Sequence, residues 1–158
     1  MKIKSEATLL LCILLCQIIG GLGAFFTSPE ISGWYANIQK PSFNPPNWIF
    51  GPVWTILFTL MGISLWLTLK SEDSAARKTA LITFTVQLVL NSAWPFLFFK
   101  LHSPWAGLIE ITFLWFAILF WILRTYSVSK SAALISIPYL AWVSFASFLN
   151  FWIWKLNA

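Results

Sequence analysis

The sequence predicts an all-α polytopic membrane protein, a bundle of five transmembrane helices forming one domain over residues 1–158. Three observations carry this. Apolar residues make up 59% of the chain and charged residues 9%, against roughly 45–50% and 25% in soluble globular domains. So few charges cannot keep that much apolar surface in water, and a chain with so much to bury is not disordered. Charge-free runs extend over 7–29, 41–69, 79–99 and 131–154, each meeting the need for about 20 apolar residues per spanning helix. A fifth run, from Pro104 to Arg124, is interrupted only by Glu110. In lipid every backbone polar group must be paired within the protein, and these runs are too long and uniformly apolar for barrel strands.

The predicted helices lie near residues 6–27, 47–69, 78–100, 104–124 and 130–154. The first follows a basic start at Lys2 and Lys4, and small residues occur at 21–24. Its apolar run exceeds the 7–15 residues of a signal-peptide core, so it is expected to be retained as a helix. Cys12 and Cys16 share one face of it. Their four-residue spacing is no metal or redox motif, and they read as small apolar side chains.

Residues 28–46 form the one long connection, with Trp34, Tyr35, Pro41, Phe43, Pro45 and Pro46. An idle loop is shorter and more polar. It is expected to fold back as a lid over the helix ends; an interfacial loop anchored by aromatics is the alternative. No internal repeat supports an inverted-repeat transporter.

Five spans put the termini on opposite sides. One side carries Lys2, Lys4, Lys70, Arg77, Lys78, Arg124 and Lys130; the other carries Lys40, Lys100 and Lys155. That bias places the N-terminus in the cytoplasm of a bacterial cell membrane. The net charge of +5 comes from scattered residues, so no nucleic-acid partner is expected.

Conventional catalytic parts are sparse. The single histidine, His102, sits in a short loop and reads as a solvated or interfacial side chain. No glycine-rich phosphate loop or metal-ligand spacing occurs. The polar groups inside the spans are more informative. Gln87 and Asn91 share a face of the third helix, with Phe84, Trp94 and Phe98 on or beside it. They either line a cavity or bond between helices. Glu110 either faces a cavity, or snorkels to the nearby membrane face or pairs there with Lys100.

Pro52, Pro95 and Pro138 interrupt three spans, and kinks at proline leave space between helices. Phe50, Trp54, Phe58 and Met61 run at helical spacing on the second helix; Tyr139, Trp142, Ala146, Leu149 and Asn150 do so on the fifth. Such stripes either pack or wall a chamber suited to flat, apolar ligands.

The run Lys40-Pro41-Ser42-Phe43-Asn44-Pro45-Pro46-Asn47-Trp48-Ile49-Phe50-Gly51-Pro52-Val53-Trp54 resembles the signature of the tryptophan-rich sensory protein / translocator protein family, which includes the peripheral-type benzodiazepine receptor. Leu90-Asn91-Ser92-Ala93-Trp94-Pro95 with Phe98-Phe99, and Pro138-Tyr139-Leu140-Ala141-Trp142 followed by Asn150, are similar to it too. The spacing P-x-x-x-P-P-x-x-x-F-x-x-x-W is specific, and the resemblance covers nearly the whole chain.

The resemblance implies a five-helix bundle whose pocket, closed by the first loop, binds porphyrins, synthetic benzodiazepine- and isoquinoline-type compounds and, in some members, sterols. By position the ligand-binding residues would be Tyr35, Trp54, Phe58, Asn91, Trp94, Trp142 and Ala146. Some bacterial members are reported to break down protoporphyrin in light and oxygen, with tryptophans at the positions of Trp54 and Trp142; these would be the catalytic pair here. Animal members associate sterol binding with a C-terminal Leu/Val-x-Tyr-x-Lys/Arg pattern, but residues 149–155 contain Phe151 and Trp152 and no tyrosine, so sterol recognition is not expected. No cofactor is required; protoporphyrin IX or haem is the expected ligand, and the expected assembly is a homodimer in the lipid bilayer. Gly20 and Ala24 offer one close-packing pair for it. Three functions stand: a tetrapyrrole receptor or sensor, a light-dependent porphyrin-degrading enzyme, and a transporter.

Overall fold

The computed structural model describes residues 6–158; Lys2 and Lys4 of the charge bias lie outside the described residues. The described residues form, in order, α1 Glu6–Ile31, α2 Trp34–Asn37, α3 Asn47–Lys70, α4 Ala75–Pro95, α5 Pro104–Tyr126, α6 Lys130–Leu134 and α7 Ile137–Asn157. No strand occurs among the described residues. A π-helical turn, Phe96–Lys100, extends α4. Among the described residues five segments are long and apolar enough to cross a membrane: α1, α3, α4 with its π-turn, α5, and α6 with α7.

Local chemistry sets the boundaries. Ser74, Ser103 and Ser129 cap α4, α5 and α6, their hydroxyls accepting from the backbone N–H groups of Arg77, Ala106 and Ala132. Pro104 occupies the first turn of α5, where a missing N–H costs no helical bond. At Pro95 the missing N–H loosens the winding, and Leu101 N–H instead reaches Phe96 O at 3.0 Å.

Two boundaries differ from expectation. The first span does not stop near residue 27 but runs on to Ile31, with Pro29 in its last turn. The expected loop 28–46 is therefore shorter and contains α2. The last span is not one helix kinked at Pro138. It breaks at Ile135–Ser136, and Pro138 lies in the first turn of α7. The carbonyl of Ala132 next to the break accepts from both Ser64 Oγ (2.9 Å) and Ser136 Oγ (2.8 Å). A buried polar group at a helix end is satisfied this way by side chains from a neighbouring span.

Around the bundle the spans follow the order α1, α4, α5, α7 and α3, with α6 bridging back to α3. Their shared core contains Cys16, Phe58, Met61, Phe84, Leu114, Ile118, Trp121, Tyr139 and Val143. Trp121 meets Phe84 edge-on at 5.2 Å. The outward faces carry residues such as Leu14, Ile18, Ile82, Phe113 and Phe116, all exposed, as lipid-facing surfaces require. α1 and α3 approach most closely at Gly62, where a Cβ would fall 2.5 Å from Ile13 Cα. From there toward the lid the space inside the bundle widens.

Candidate ligand-binding site

A cavity of about 510 Å³ occupies the lid end of the bundle, within the range of about 300–1,000 Å³ typical of small-molecule sites. Its walls come from α1 (Gly20, Gly23, Ala24), α3 (Phe50, Trp54, Phe58), α4 and its π-turn (Asn91, Trp94, Phe98), and α7 (Val143, Ala146, Asn150). Ile111 and Leu114 of α5 close the back, and Tyr35 closes the end. Among the described residues no charged side chain lines it.

The aromatic walls follow from helical periodicity. Trp54 and Phe58, four residues apart on α3, present their rings together at 5.6 Å between centroids. Trp94 stacks on Phe98 at 4.8 Å, one helical turn along. The polar residues are held in fixed orientations. Asn91 Nδ2 donates to the Tyr139 hydroxyl at 2.7 Å, and that hydroxyl donates to Gln87 Oε1 at 3.0 Å. Trp94 Nε1 donates to Asn150 Oδ1 at 3.1 Å, while Asn150 Nδ2 donates to Pro104 O at 2.7 Å. Asn91 Oδ1 has no protein partner among the described residues, so a lining residue keeps one acceptor for a ligand.

The lid is fastened at several points. Tyr35 is buried against Phe98 and Phe99, and its hydroxyl donates to Asn44 Oδ1 at 2.9 Å. Burial pushes its phenol up from 10.0 to about 12. Lys40 Nζ donates to the carbonyls of Tyr35 (2.6 Å) and Ile38 (2.9 Å), which ties the residues after α2 into a tight turn. Gln39 and Asn157 exchange two hydrogen bonds of 2.9 Å, joining the lid to the end of α7. Trp34 stacks on His102, whose Nε2 lies 2.7 Å from Glu30 Oε2.

Of the residues singled out from the sequence, Tyr35, Trp54, Phe58, Asn91, Trp94 and Ala146 line the cavity. Trp142 does not. It lies one ring behind the wall, edge-on to Phe50 at 5.9 Å and 5.5 Å from Phe145, with Nε1 buried and unpartnered. None of the expectations for Glu110 holds. It is buried with both carboxylate oxygens unpartnered, does not line the cavity, and makes no ion pair with Lys100. His102 is not merely solvated, since it anchors the lid. Gly20 is committed within the chain, facing the Phe58 ring, where a Cβ would come within 2.5 Å; it is not free to pack a second copy. The sequence reading missed the α1 wall altogether. Its only trace was the small-residue run Gly20, Gly21, Gly23 and Ala24.

Fold and cavity together define a multi-pass helical membrane protein with a lidded, aromatic, uncharged chamber. Comparison with known proteins narrows the class. The model of the TspO/MBR family matches residues 12–155. The chain is 46% identical to the tryptophan-rich protein TspO of Chlorobaculum tepidum, over 98% of both chains. It is 37% identical to the human translocator protein over 86% of this chain and 84% of that one. Identity to the tryptophan-rich sensory protein of Cereibacter sphaeroides is 31%, over 78% and 77%. The chain belongs to the TspO/MBR family, whose translocator and sensory members fit a receptor or sensor kind of role in the membrane.

Proposed function

We propose that the protein is a membrane receptor for porphyrins and other flat hydrophobic ligands, linked to tetrapyrrole homeostasis or stress sensing. One observation carries the reading: the uncharged chamber has aromatic walls on α3 and α4 and keeps an acceptor held in a fixed orientation, Asn91 Oδ1. A macrocycle stacks between Trp94 and the Trp54–Phe58 wall, where base-like π faces gain both burial and ring contacts. The uncharged walls would leave an anionic substituent unpaired, which is costly in a low-dielectric site. The carboxylates of a porphyrin therefore stay at the rim. On the basic-residue bias, the N-terminus lies in the cytoplasm of a bacterial cell membrane, and the working unit is a homodimer.

Dark titration of the purified protein with protoporphyrin IX, followed by tryptophan fluorescence, tests this. Saturable quenching is expected, with affinity at least tenfold weaker in Asn91→Ala. Quenching that rises linearly without saturation, or equal affinity in wild type and Asn91→Ala, would overturn it.

A second reading is light-dependent porphyrin breakdown, supported by Trp54 in the wall and Trp142 one ring behind it. The porphyrin is oxidised and dioxygen is reduced. Illumination of the same samples is expected to bleach the porphyrin into a defined product in wild type and not in Trp54→Phe or Trp142→Phe, while dark binding survives. Equal bleaching in all three excludes a role for either indole.

A further inference from the structure

We propose that ligand reaches the chamber sideways from the bilayer, through a window between α1 and α3, while the lid stays shut. The proposal rests on the receptor reading and adds the route and the ligand source, a molecule already dissolved in the membrane leaflet.

Three observations converge on the window. First, several cavity-lining residues also belong to the outer surface: Gly21 and Ala24 on α1, and Trp48, Gly51 and Thr55 on α3. A residue that faces both the chamber and the outside marks an opening. Second, a Cβ built on Gly21 or on Gly51 would meet nothing within 4 Å. Nothing of the facing helix comes within 4 Å of either Cβ, whereas a Cβ on Gly20 would meet the Phe58 ring and one on Gly62 would collide with the α1 backbone farther along. The pair thus diverges from its crossing at Ile13 and Gly62 toward the lid. Third, the lower edge of the gap is closed by Gln17, whose Nε2 donates to Thr55 O and to Thr59 Oγ1, both at 2.9 Å.

The opening runs along α3 from Trp48 to Thr55, about 10 Å of helix. Trp48 is 73% exposed at the start of the span, the position of an interfacial aromatic. The window therefore begins at headgroup level and descends into one leaflet. A flat apolar ring slides in at that depth without crossing water, and its carboxylates remain at the interface. The lid end contrasts with this. Passage there breaks the Gln39–Asn157 pair, the turn held by Lys40 and the Trp34–His102 stack at once.

The test uses full-length protein in vesicles, with stopped-flow quenching of tryptophan fluorescence as the readout. Protoporphyrin IX is the first probe and bilayer-dissolved pyrene the second. Gly21→Phe and Gly51→Phe set a ring at the window, where an added Cβ meets nothing within 4 Å, and the unfolding midpoint of each is measured alongside to confirm that it folds. A Gln39→Cys/Asn157→Cys pair, oxidised to a disulfide, staples the lid. The expected result is association and dissociation both slowed at least tenfold in the window variants, and unchanged rates in the stapled protein. Unchanged rates in the window variants, or slowing in the stapled protein alone, would overturn the window. Saturable pyrene quenching that the window variants slow, without protoporphyrin quenching, would overturn the porphyrin reading and leave the window standing. No saturable quenching by either probe overturns both.

Discussion

The indole of Trp34 stacks on the imidazole of His102 with ring centroids 4.8 Å apart and planes within 10°. The two residues belong to the lid and to the turn between α4 and α5, so the stack closes the chamber from the far side of the bundle. His102 reaches this position with φ of 50°, a left-handed conformation that disfavours most side chains. Its ring is held on the other side by Glu30, at the end of α1. One residue thus joins α1, the lid and the α4–α5 turn.

Replacing His102 by Ala removes the stack and the Glu30 contact but keeps the backbone problem. Stacked pairs contribute about 1 kcal/mol beyond burial, which corresponds to roughly fivefold in an opening equilibrium. Proteolysis of the lid in His102→Ala is expected to be several-fold faster than in wild type. His102→Asn, which tolerates the left-handed conformation, is expected to lie between them. Equal rates in all three would mean that the stack does not hold the lid.

Tyr35 makes the lid sensitive to strong alkali. Burial raises its folded-state phenol to about 12 from 10.0. A group whose pKa is higher folded than unfolded contributes its full stability below the unfolded value and loses it as pH rises through the folded one. Lid closure is therefore expected to be constant below pH 10 and to weaken between pH 10 and 12. Tyrosinate absorbance checks this: Tyr35→Phe is expected to lose an ionisation near pH 12 that wild type shows.

The Asn91–Tyr139–Gln87 chain predicts a coupled loss of stability and binding. Tyr139→Phe leaves Asn91 Nδ2 and Gln87 Oε1 buried without their partner. An unsatisfied buried group costs about 1–3 kcal/mol. The unfolding midpoint in mixed micelles is expected to fall, and porphyrin affinity to drop as Asn91 is no longer aimed. An unchanged affinity would show that the orientation of Asn91 does not matter to the ligand.

At the α1–α3 crossing, Gly62→Ala sets a Cβ against the backbone of Ile13 at 2.5 Å. No flexible side chain is available to yield, so the helices must move apart. Overpacking of this kind costs about 1–3 kcal/mol. Gly51→Ala adds the same atom into open space and is expected to be neutral. Thermal denaturation of the two variants side by side distinguishes them.

The spans, and which aromatic and polar side chains share a helix face, were legible in the residues themselves. A bilayer imposes its requirement locally, on each run of about 20 residues, so the intervals between charges already mark the helices. Four-residue spacing likewise puts Trp54 with Phe58 on one face whatever surrounds them. What escaped the sequence depends on how helices cross. Gly62 lets α1 meet α3 at one end, and the divergence beyond it turns Gly20, Gly21, Gly23 and Ala24 into a cavity wall. Trp142 shares a periodic stripe with Ala146, yet Phe50 from α3 stands in front of it. His102 finds its partners 72 residues back at Glu30 and on the lid at Trp34. Helix identity follows from the chain's chemistry read a turn at a time. Which side chains face the chamber, and which ones close it, is decided only when the helices pack.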